Sequence, residues 1–314
     1  MKKKSKMMIW QGRFDGDEPL YHRVFQRVTL ENNYDNILEN DFVLHGFAVD
    51  EGVKRNQGRV GAKDAPDIIR KNSSNFPVVN PEFTLKDFGN IYCADENLEK
   101  TQNELANKVA EVLKRKAKSI VFGGGHEVTF AHYSGIKKAF PTQKIGIINI
   151  DAHFDNREID PEIGASSGTG FWQIAQEGTI HSMHIGIQRN SNTLKLFDTA
   201  HQYGMNYILA EELFFENLPN LYSKLNDFIE TSDVIYITVC MDVFNVSIAP
   251  GVSALAYNGI FADAAFNHLF KHILKSKKQV AMDVAEVNPT YDPNEITARL
   301  AASLINEWFI LTEN

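Results

Sequence analysis

Asp151, His153 and Asp155 stand at alternate positions just after the apolar run that begins at Ile145. If the strand continued through them, the three side chains would leave one face about 6–7 Å apart. Carboxylate and imidazole are donors that hold a divalent cation. Three ionisable groups at the point where a buried strand surfaces are costly unless a cation neutralises them. An aspartate-rich turn with a capping histidine would look the same in isolation, so the weight rests on what accompanies the run.

Three further apolar runs end in ligand-type residues. Residues 119–122 lead into Gly123-Gly124-Gly125-His126-Glu127, where glycine lets the backbone pass close to a ligand and presents His126 as a fourth donor. Residues 234–239 lead to Cys240 and Asp242, which a continuing strand would place on one face, and residues 280–285 lead to Glu286. Strands that each finish in such residues describe the carboxyl edge of a parallel sheet, where open α/β proteins bind their ligands.

The elements that must position these residues follow from the pattern between the runs. Thr101 and Glu104 have capping-box spacing ahead of Leu105, Val109, Val112 and Leu113, which recur at helical intervals. Phe266, Leu269, Phe270 and Ile273 form a second stripe, and Leu300, Ala301, Leu304, Ile305 and Trp308 a third; both read as core. Strands alternating with helices imply an α/β protein of three αβα layers, a mostly parallel central sheet with helices on both faces. Residues 71–83, with Pro77 and Pro81 among Ser and Asn, read as a surface loop, and no internal repeat or low-complexity segment appears.

With 314 residues, 43% of them hydrophobic, the chain can bury a sizeable core, and site runs spread from 123 to 286 favour one domain over 1–314, with 1–8 as a flexible tail. A net charge of −8 argues against nucleic acid as a partner. The lysines at 2–4 are not followed by an apolar leader segment, and no run approaches the ~18 residues of a membrane span, so a cytoplasmic protein without a membrane partner is expected. Two cysteines, Cys93 and Cys240, are too few for a disulfide framework.

In order, the segments 123–127 (G-G-G-H-E), 151–155 (D-A-H-F-D), 166–171 (S-S-G-T-G-F), 241–244 (M-D-V-F), 249–254 (A-P-G-V-S-A) and 285–289 (A-E-V-N-P) carry a likeness that extends over nearly the whole chain. Together they resemble the arginase or ureohydrolase family of binuclear manganese hydrolases. Within it the resemblance is to the branch that acts on N-formimidoyl-L-glutamate in histidine breakdown. That finer likeness rests on Trp10-Gln11-Gly12-Arg13, on residues 47–59, and on Gly186-Ile187-Gln188-Arg189 followed by Ser191-Asn192-Thr193.

The resemblance implies an arginase-like fold, two Mn2+ ions per chain, a small-molecule substrate and a homo-oligomer. His126 and Asp155 would bind one ion, His153 and Asp242 the other, and Asp151 both. A hydroxide held between the ions would attack the formimidoyl carbon, and the products would be L-glutamate and formamide. Asp155 would carry the proton to the leaving amine, and Glu286 would grip the cationic amidinium with paired charge-assisted bonds.

A dicarboxylate substrate also needs cationic groups that an arginine-binding site does not. Arg157, where arginases carry a neutral side chain, and Arg189 are the clamp candidates, with Arg55 and Arg59 behind them and Ser167 as a further substrate contact. Phe171 stands where arginases carry an acid–base histidine, which argues against arginase activity. His45, His132, His184 and His201 read as structural or surface histidines.

One departure matters more than these matches. The family has D-x-D at the third strand, both aspartates being ligands and the first bridging; this chain has Cys240-Met241-Asp242. A thiolate keeps the negative charge but offers one soft donor atom, which disfavours manganese relative to zinc, cobalt or iron. The alternative is an inert small side chain. Three readings therefore stand: the hydrolase just described with an altered metal centre, a hydrolase of another amidine or guanidine, or a metal-poor and catalytically silent relative.

Overall fold

The computed structural model describes residues 9–311; the tail expected at 1–8 lies outside the described residues. The apolar runs are strands: β1 Val28–Leu30, β2 Phe42–Ala48, β3 Leu85–Tyr92, β4 Lys118–Phe122, β5 Ile145–Ile150, β6 Ser182–Ile187, β7 Asn206–Leu209, β8 Val234–Cys240 and β9 Gln279–Ala285. Among the described residues they form one sheet in the order β1-β3-β2-β4-β9-β8-β5-β6-β7, and every pairing is parallel. Parallel neighbours need long crossovers, and these supply the helices.

Alternation along the strands divides the core in two. Ile148, Ile150, Ile235, Ile237 and Val239 face the helices Ala65–Ser73, Leu218–Glu230, Ala264–Leu274 and Ile296–Leu311. Ile145, Ile147, Val234 and Tyr236 face Leu98–Lys114, Val128–Ala139, Gly170–Gln176 and Leu194–Gln202. The three-layer expectation holds, and the sheet is parallel throughout rather than mostly so. Strands covered on both faces are apolar on both, which is why β2, β5, β6 and β8 are buried at every position.

Two local expectations need correction. The helix Leu98–Lys114 is capped by Asn97, whose side chain accepts from the Lys100 amide, whereas Thr101 lies inside the helix and donates to the Asn97 carbonyl. Asparagine is the stronger cap and sits one turn earlier. The segment 71–83 is not loop throughout, because the helix Ala65–Ser73, opened by Pro66, continues through Lys71.

Candidate metal centre

The central strands β4, β9, β8 and β5 are neighbours, and the candidate ligands follow their carboxyl ends. Sequence order reverses direction across this part of the sheet, with β1 to β4 on one side and β5 to β7 on the other, which leaves a crevice above it. After β4 the glycine triplet is threaded between two neighbouring strand ends: the Gly125 amide donates to the Val49 carbonyl, and the Glu286 amide donates to the Gly124 carbonyl. A Cβ on Gly124 would sit 1.7 Å from the Val49 oxygen, so only glycine lets His126 approach.

The strand does not run through the Asp151 cluster as expected. β5 stops at Ile150, and Asp155 has φ of 45°, a left-handed conformation that turns its carboxylate back toward β4. Asp242 likewise lies beyond its strand, in the short 3-10 turn Met241–Val243 after β8. Convergence survives both corrections. His126 Nδ1 is 3.0 Å from Asp151 Oδ2 and 2.8 Å from Asp155 Oδ2, while His153 Nδ1 is 3.3 Å from Asp242 Oδ2 and 3.6 Å from Asp151 Oδ1. Asp151 thus turns one oxygen toward each histidine.

Two donor groups result, His126–Asp151–Cys240 and Asp151–His153–Asp242; within each, the ligand atoms lie within 4.8 Å of one another. Asp242 Oδ1 and Glu286 Oε2 are buried with no hydrogen-bond partner among the described residues. Burial, with the Asp151 charge beside it, raises the Asp242 pKa, and burial with Glu127 and Asp242 nearby pushes Glu286 well above the usual carboxylate range. Burial opposes a charged His126, yet Asp151 and Asp155 raise its pKa; His153 is raised against burial by Asp242 and Asp151. Each shift runs as it does where positive charge is wanting, and the orphaned oxygens, the imidazoles and the carboxylate shared by both groups suit divalent cations.

Behind His126 the site is braced by a buried network. His126 Nε2 lies 3.0 Å from Thr238 Oγ1, which donates to Asp283 Oδ1 at 2.6 Å; Asp283 Oδ2 accepts from the Tyr236 hydroxyl and pairs with His132 Nδ1, each at 2.6 Å. This fixes which His126 nitrogen faces the carboxylates. His132 is structural, as its place on the helix after β4 implies. His45 and His184 are fully buried, and His201 is exposed.

Above the donors opens a cavity of about 240 Å³, lined by His126, His153, Asp155, Cys240, Asp242 and Glu286 and rimmed by Asn56, Arg157, Ser167 and Ser253. Arg157 is the one arginine or lysine among the described residues of this lining, and one guanidinium nitrogen donates to Asn56 Oδ1 at 2.9 Å. Arg189 does not reach it. It follows β6, one strand beyond the central group, and lines another cavity, where its 65% exposed side chain pairs with Glu211. Arg55 is held by Glu51 and Glu99, and Arg59 by the Val252 and Ser253 carbonyls. Phe171 is fully buried against His184 and does not line this cavity.

Asn56 and Ser253 went unassigned by sequence reasoning. Both lie in motifs that carried the family likeness, where polar residues beside Gly58 and Gly251 signal a backbone stitched close: the Arg59 amide donates to Ser253 Oγ. Glu127 was also missed; it accepts from the Gly52 amide at 2.8 Å, and burial pushes its pKa up to about 7.

Comparison with known proteins adds four findings. The model of the arginase family matches residues 40–310. A formimidoylglutamase of Staphylococcus aureus (strain JH9) is 38% identical over 313 residues, 98% of this chain and 99% of the relative. A variant of Trypanosoma cruzi formiminoglutamase solved with Mn2+ superposes with a TM-score of 0.82 at 25% identity, over 93% of this chain and 99% of that one. Formimidoylglutamase from Bacillus subtilis has a TM-score of 0.84 at 21% identity, over 98% of both chains, a likeness of fold.

Proposed function

The chain belongs to the arginase family, and from that premise we propose that it hydrolyses N-formimidoyl-L-glutamate to L-glutamate and formamide, using two divalent cations, manganese among them. The observation that carries this reading is the single pocket with carboxylates at its floor and one arginine at its rim, complementary to an amidinium at one end and a carboxylate at the other. We assign the work to one domain acting in the cytoplasm as a homo-oligomer.

His126, Asp155, Asp151, His153 and Asp242 would hold the cations, with Cys240 beside them. When bound, such a pair lowers the pKa of water enough to supply hydroxide as a nucleophile at neutral pH. Glu286 Oε1 accepts from the His126 amide, which leaves Oε2 free to receive the amidinium. A planar cation arriving there offsets the cost that burial puts on the ionised carboxylate. Attack at the formimidoyl carbon gives a tetrahedral species, and breaking its bond to the glutamate nitrogen requires a proton on that nitrogen. Asp155, beside His126 and open to the cavity, can take the proton from the hydroxyl of that species and pass it to the nitrogen. Arg157 and Ser167 hold the carboxylate end and disfavour amidines that lack a carboxylate.

Formamide release from N-formimidoyl-L-glutamate by the manganese-loaded chain tests the reading. Turnover that favours this substrate over arginine and agmatine supports it. Equal or greater turnover of a guanidine compound overturns it.

A further inference from the structure

Asp151 belongs to two donor groups that differ in a single atom type. Around His153 and Asp242 the donors are nitrogen and oxygen. Around His126 they include the sulfur of Cys240, which is 1% exposed and within 4.8 Å of both an imidazole nitrogen and an Asp151 oxygen. An inert core cysteine would meet apolar side chains on that side. Here the sulfur shares the cavity lining with Asp242 and Glu286, each with a buried oxygen that has no partner, so the space it faces is built for positive charge.

Ligand softness then acts on the His126 group, the one of the two that contains the sulfur. Thiolate selects zinc, cobalt or iron, and manganese stands at the weak end of the divalent series for any such donor set. We propose that the two cation positions are chemically unlike and that the centre is heterobimetallic: a borderline cation of the zinc, cobalt(II) or iron(II) class at His126–Asp151–Cys240, and manganese at Asp151–His153–Asp242. The proposal rests on the two-cation reading above and deepens it, since the sulfur lies within 4.8 Å of the His126 and Asp151 donor atoms.

The test uses the full chain stripped with a chelator, given one equivalent of cobalt(II) and then excess manganese. A thiolate-to-cobalt charge-transfer band should saturate at one cobalt per chain and survive the manganese, with elemental analysis finding one ion of each. The band should be lost in both Cys240→Ser and Cys240→Asp and unchanged in Cys93→Ser. Cobalt bound without the band, a band that needs a second equivalent, or displacement of the first cobalt by manganese overturns the proposal, and each is read on the unsubstituted chain. If neither that chain nor Cys240→Asp retains any divalent ion, the two-cation reading itself falls, and the proposal with it.

Discussion

At the scale of single residues, the pocket contrasts groups already committed with groups left free. Arg55 and Arg59 spend their donors on Glu51, Glu99 and backbone carbonyls, whereas Arg157 spends one on Asn56 and keeps the rest for the cavity. A charge-assisted bond of this kind contributes about 1.5–3 kcal/mol. Arg157→Ala should therefore raise KM for N-formimidoyl-L-glutamate roughly 10–100-fold at this energy scale, with little change in kcat. Steady-state kinetics would check this, with an N-alkylformamidine as the control; equal losses on both substrates would contradict a carboxylate clamp. Residue types and order made the ligand set legible in the sequence, because few settings place so many carboxylates and histidines after apolar runs. Sequence could not show that Arg189 faces elsewhere, since its direction depends on β6 lying outside the central four strands.

At the scale of elements, β8, β9 and the helix Val128–Ala139 are joined by Asp283, which is fully buried and takes contacts from Tyr236, Thr238 and His132. Asp283→Ala leaves these groups unpartnered in the interior and should cost about 3–5 kcal/mol, seen as a lower urea midpoint. An unchanged midpoint would show that the network bears no load. On β2, burial lowers the His45 pKa from 6.5 to about 3. The unfolded chain then takes up this proton first as pH falls, so stability is intact above 6.5 and is lost between 6.5 and about 3. By pH 5 the loss attributable to this ring is about 2 kcal/mol. In His45→Gln, which keeps a partner for the Tyr34 hydroxyl, the drop in unfolding free energy between pH 7.5 and 5 should shrink by about that amount. An undiminished drop would place the acid sensitivity elsewhere. Strands and helices were readable because apolar runs and stripes differ in period. Their ends were not: β5 stops before Asp151, and Asn97 takes the cap expected of Thr101, because a strand end depends on its neighbours and a cap on which side chain reaches the amides.

At the scale of the whole molecule, the layers and the parallel sheet follow from the alternation of runs, while the strand order needs the structure. Stability of the whole should depend on the cations. Each ion bound at a hundredfold excess over Kd adds about 2.7 kcal/mol. Stripping both should lower Tm by roughly 5–10 °C, restored by re-addition, in a scanning fluorimetry experiment. A Tm indifferent to chelation would mean that the acidic cluster holds no cation. The sheet order has a different consequence, one of timing. β9, last of the strands in the chain, lies between β4 and β8 at the sheet's centre. A chain emerging from the ribosome therefore carries two partial sheets whose facing edges stay unpaired until residue 285 has been made. His126, which follows β4, cannot join the donors after β5 and β8 before then, whereas Asp151, His153 and Asp242 follow two strands that are already neighbours.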